Sequence, residues 1–87
     1  MKLEGRIFLQ NHSLRDAVVE MNNPGGLHYV ELLDRILIEL CHQLEVPLPI
    51  WLEKNTREFV RFRQTLFFSG QFTEPVKFDR FQIRLIE

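Results

Sequence analysis

A single cysteine, Cys41, in a chain of 87 residues rules out any internal disulfide. A chain of roughly 60–90 residues buries only about 60–65% of the surface that its unfolded form exposes. Without a disulfide, a metal or a second subunit is the usual way to secure so small a core. The lone thiol also argues against secretion, because small secreted domains carry paired cysteines. The start of the chain, Met1 to Arg6, opens onto an apolar run too short and too charged for a signal peptide. The longest apolar stretch, Leu27–Leu44, is interrupted by Glu31, Asp34, Arg35 and Glu39, so no membrane span is expected. The expectation is one cytoplasmic domain over residues 1–87.

Hydrophobic periodicity sets the elements. Leu3–Gln10 alternates Leu3, Gly5, Ile7 and Leu9 against Lys2, Glu4, Arg6, Phe8 and Gln10, which predicts a strand. Gly5 inside it suggests a bulge or a close neighbouring backbone. Residues 13–21 carry two signals. Leu14, Ala17, Val18 and Met21 at i, i+3, i+4, i+7 favour a short helix, while Val18-Val19 supports a rival strand, Arg15–Met21, forming a hairpin with the first. The helix is the preferred reading. Leu27–Leu44 is the strongest helix, with Tyr29, Val30, Leu33, Ile36, Leu37, Leu40, Cys41 and Leu44 on one arc. Pro47 and Pro49 end it. A second long helix is predicted from Pro49 to Ser69-Gly70, with Asn55-Thr56 as a break that shortens it. Arg80–Ile86 alternates as a strand, and the change of parity at Val76 and Phe78 marks a bulge or kink at Asp79.

The expected fold is a small single-domain α+β protein. Its N- and C-terminal strands pair in a small sheet, with two long antiparallel helices packed on one face.

The residues that resemble chemistry carry little specificity. Glu39 and His42 have the i,i+3 spacing of carboxylate-bridged metal bundles, but no second such pair follows. His28 and His42 are separated by 14 positions, about 21 Å along a helix, and cannot share a metal within one chain. Cys41 lies near a helix C-terminus, where the partial negative charge opposes thiolate formation. His12 reads as a surface loop histidine. The run from Asn22 to Gly26 lacks both glycine-rich phosphate-binding patterns. No catalytic, cofactor-binding or metal residue is assigned, and no cofactor is expected; a small enzyme or metal protein is the third functional alternative.

The formal charge of −1 gives no general reason to bind a polyanion, but it is unevenly spread. Residues 1–52 hold 4 basic and 7 acidic groups, and residues 53–87 hold 7 and 5. Lys54, Arg57, Arg61 and Arg63, interleaved with Phe59 and Phe62, make a nucleic-acid-binding regulator the runner-up function. The leading expectation is a non-catalytic binding or assembly module acting as a homodimer, with room for another protein partner. A two- or three-stranded sheet is marginal alone, and its open edge is a template for pairing. The expected contacts are an edge strand, Arg80–Ile86 or Leu3–Leu9, and the aromatic stretch around Phe67, Phe68 and Phe72.

Overall fold

The computed structural model describes residues 1–23 and 25–86. In chain order the elements are β1 (Lys2–Leu9), β2 (His12–Glu20), α1 (Tyr29–Leu44), α2 (Glu53–Phe62), β3 (Gln64–Phe68), a 3₁₀ turn (Ser69–Gln71) and β4 (Arg80–Leu85). The four strands form one antiparallel sheet in the order β2-β1-β4-β3. The α+β class and the pairing of the terminal strands stand as expected, with Leu3 opposite Leu85 and Phe8 opposite Arg80.

Residues 13–21 are a strand and not a helix. Gln10 and Asn11 both take positive φ, 49° and 69°, the backbone of a two-residue hairpin turn whose twist matches the flanking strands. This turn commits the chain to return along β1. The helical pattern at Leu14 and Val18 leaves both side chains exposed, while Val19 is buried opposite Leu3. The register slips between Ile7 and Phe8, so the bulge lies there and not at Gly5. The close neighbour of Gly5 is a side chain and not a backbone: a Cβ on it would stand 2.7 Å from Leu40 Cδ2 of α1.

The second long helix is also corrected. It ends at Phe62, and Arg63 at φ 59° turns the chain into β3. Thr65 and Phe67 then point into the core, at 3% and 0% exposure, whereas Phe62 is left 59% exposed. The helical spacing of Phe59, Phe62 and Leu66 had concealed a period-2 strand, Gln64–Phe68. The expected kink at Asp79 is present: Asp79 donates its N–H to Phe8 O and accepts from Ser69 N, and β4 starts one residue later.

Both helices cover the same face of the sheet. Leu3, Ile7, Phe67, Phe81 and Ile83 rise from the strands to meet Ile36, Leu40 and Leu44 of α1 and Phe59 of α2. Trp51 bridges the layers, edge-on to Phe59 at 5.9 Å and tilted on Phe67 at 5.5 Å. Arg15 Nε donates to Leu44 O at 3.0 Å, closing the C-terminal end of α1 against β2.

One sheet edge is partly closed by side chains. Asn55, fully buried in the first turn of α2, donates through Nδ2 to Thr65 Oγ1 and to Leu66 O of β3. Its Oδ1 accepts from Leu52 N and from Gln71 Nε2. Thr65 Oγ1 donates to Glu58, and Gln71 also donates to Ile50 O. These side chains take up Leu66 O and, through Gln71 Oε1, Phe68 N on the outer edge of β3, two groups that another strand would otherwise use. The two strands expected at an edge, β1 and β4, lie inside the sheet, and β2 occupies the other edge.

Candidate functional site

Two surfaces stand out, on opposite sides of the sheet. The first lies between the helices. The apolar stripe of α1 is wider than its contact with the sheet, and α2 stands off far enough to leave a groove of about 620 Å³. Leu33, Leu37 and Phe59 form its buried floor, while Tyr29, Val30, Leu48 and Val60 line it with much of their surface in solvent. Val30 and Val60 are 73% and 79% exposed, which is unusual for apolar residues beside a common opening. Trp51 forms part of the lining and is fixed by donation from its Nε1 to Thr56 Oγ1 at 2.7 Å. Glu31 and Asp34 of α1 are the charged groups at this groove. From α2 the lining is Thr56, Phe59 and Val60, and Lys54, Arg57, Arg61 and Arg63 lie outside it.

The second surface is the face of the sheet away from the helices. Alternation sends Arg6, Phe8, Arg80, Gln82, Arg84, Leu66 and Phe68 to this side. Cations lie on rings there: the Arg80 guanidinium is 4.6 Å from the Phe8 centroid, and Lys54 Nζ is 4.7 Å from that of Phe68. Glu4 bridges Arg84 at 3.1 Å and Arg6 at 3.5 Å. A shallow recess of about 160 Å³ follows β3, bounded by Gln64, Leu66 and Gln82 of the sheet and by Glu58 and Phe62 of α2.

The residues singled out in the sequence separate as follows. Lys54 lies beside the sheet face, with Nζ 3.4 Å from Leu66 O. Arg57 pairs with Glu53 at 3.8 Å, both exposed, and Arg61 lies over Phe62. Arg63 is the left-handed cap of α2. Lys54, Arg57 and Arg61, at i, i+3 and i+7, share one side of the helix. Of the proposed dimer contacts, Phe67 is fully buried and Phe72 is 8% exposed, edge-on to Phe78 at 5.2 Å. Only Phe68 has its ring at the surface. Sequence reasoning missed the groove because Leu48, Val60 and Tyr29 converge only after α2 has been shortened and set against α1. It missed the sheet-face row because β3 had been read as helix.

Chemistry is sparse. Burial pushes the Cys41 thiol up to about 12 and withholds its thiolate. Glu39 accepts from Gln43 Nε2 at 3.4 Å. Among the described residues, no group of three or more His, Cys, Asp or Glu gathers to hold a metal ion. Among the described residues, no helix is long and apolar enough to cross a membrane. No protein-family model matches the chain, and neither a curated protein nor a solved structure matches it.

Proposed function

We propose that the protein is a non-catalytic assembly module that pairs with a second copy of itself through the groove between α1 and α2. The observation that carries this reading is the groove itself: apolar side chains from three segments, two of them more than 70% exposed, around a buried floor. Burying such a surface is worth about 25 cal/mol per Å² removed from water. A two-fold axis places identical surfaces in contact, so the exposed apolar residues of one groove meet those of the other. Five of the eight phenylalanines already lie in the chain's own core, so the drive to associate rests on the groove and not on the aromatic stretch.

Light scattering coupled to size exclusion tests this. The wild-type chain is expected at twice its 10.5 kDa mass at roughly 50 µM, a concentration suited to micromolar affinity. Val60→Asp is expected to return it to the monomer mass with an unchanged circular dichroism spectrum. A monomeric wild type, or a dimer indifferent to Val60→Asp, would sink the proposal.

A further inference from the structure

Ile7, Phe67 and Phe81 are fully buried beneath the helices, so their neighbours Phe8, Phe68 and Arg80 lie on the other face. The register sets Phe8 opposite Arg80 on one side and Phe68 opposite Arg80 on the other. These three residues form one row across β1, β4 and β3. Lys54 extends the row from α2 by lying over the Phe68 ring. Across the surface the order is therefore aromatic, cation, aromatic, cation. Further along the same face, Arg6 lies two residues from Phe8 and Arg84 four residues from Arg80, and both pair with Glu4. Asp16, opposite Arg6, and Glu20, opposite Lys2, lie out on β2, and Glu58 of α2 sits at the recess along β3, so among the described residues the unpaired positive charge is that of the row itself, Arg80 and Lys54.

We propose that this row is a binding platform for single-stranded nucleic acid. Phe68, 48% exposed, and the Arg80 guanidinium, which rests on the Phe8 ring, offer flat faces on which unpaired bases stack, and Lys54 at the Phe68 ring is placed to meet a phosphate. Base–aromatic stacking contributes without regard to sequence, because every base has a π-face. A broad sheet face cannot enter a duplex groove in the way a helix does, which favours splayed single strands over paired ones. Adjacent strands are about 4.8 Å apart, so the row spans roughly 10–15 Å and holds two or three nucleotides. The same side of α2 carries Arg61 seven residues beyond Lys54, which lengthens the cationic track past the sheet edge. This platform lies on the opposite side of the sheet from the helices, so it is independent of the groove and stays open in a groove-mediated dimer.

The test is fluorescence anisotropy with end-labelled oligo-uridine and oligo-thymidine on the full chain. Binding is expected at low salt, weakening roughly 30- to 100-fold between about 20 and 200 mM salt as the counterions of two or three phosphates are released. Phe68→Ala, which changes no charge at an exposed site, is expected to weaken binding about five- to tenfold, and Phe68→Tyr to retain it. Arg80→Ala is expected to weaken binding and flatten the salt slope. Absence of binding at low salt overturns the proposal. So does equal binding to duplex DNA or to phosphatidylserine vesicles, which would reduce the face to a nonspecific cationic patch, and so does indifference to Phe68→Ala in a variant with wild-type circular dichroism.

Discussion

Asn55 Nδ2 donates to Thr65 Oγ1 at 2.7 Å, joining the first turn of α2 to the inner face of β3 across ten residues of chain. With its bonds to Leu66 O, Leu52 N and Gln71 Nε2, the Asn55 amide has no unused donor and accepts twice. Removing it strands several buried partners at once. Asn55→Ala is expected to cost about 2–4 kcal/mol, read as a lower urea midpoint. Arg57→Ala, at an exposed ion pair, is expected to change stability by less than about 1 kcal/mol. Similar midpoints for the two variants would refute the structural weight given to the network.

Gly5 and Leu40 form a second tight contact. A Cβ at position 5 would lie 2.7 Å from Leu40 Cδ2 and 3.0 Å from Phe81 Cε1, both on fully buried side chains. Gly5→Ala is expected to destabilise by about 1–3 kcal/mol through overpacking. Leu40→Ala should be harmful alone but partly compensating with Gly5→Ala, giving a non-additive double-mutant cycle in thermal or urea unfolding. Strict additivity would show that Gly5 is tolerated for its backbone and not for this contact.

Cys41 gives the protein an alkaline limit. Its thiol is pushed from 9.0 to about 12 by burial, so it stays protonated in the folded chain where the unfolded chain ionises. The contribution is intact below about pH 9 and is lost as pH rises toward about 12, at about 1.4 kcal/mol per pH unit. Cys41→Ala is expected to be less stable at pH 7, through a small cavity, yet to decline less between about pH 9 and pH 11. Parallel pH profiles for the two chains would contradict this. Reaction with a thiol reagent should also be slow in buffer and fast in denaturant.

β1 lies between β2 and β4, so residues 1–10 supply two of the three strand pairings in the sheet. The fragment of residues 11–87 is expected to lose cooperative urea unfolding and most ordered circular dichroism signal. A cooperative fragment would mean that β3, β4 and the helices form a self-sufficient core.

The α+β class, α1 and the terminal strand pair were legible in the sequence, because each rests on a periodicity that one element satisfies locally. The Leu33, Ile36, Leu37, Leu40, Leu44 stripe has no reading other than helix. Lys2–Leu9 and Arg80–Leu85 alternate cleanly and have no other way to bury Ile7, Phe81 and Ile83. The tertiary structure decided the segments whose local pattern fits two periods. In residues 13–21 the hairpin turn at Gln10-Asn11 overrode a helical spacing, because pairing with β1 buries Val19 and satisfies the backbone together. At Arg63 the chain accepts a left-handed residue, which costs about 1–2 kcal/mol outside glycine. In return it seats Phe67 against Phe81 and Trp51 and gives β4 its second neighbour. That turn also brings Phe68 into line with Arg80 and Phe8, and it leaves Val60 beside the groove. Both candidate surfaces depend on contacts between residues distant in the chain, which no local period encodes.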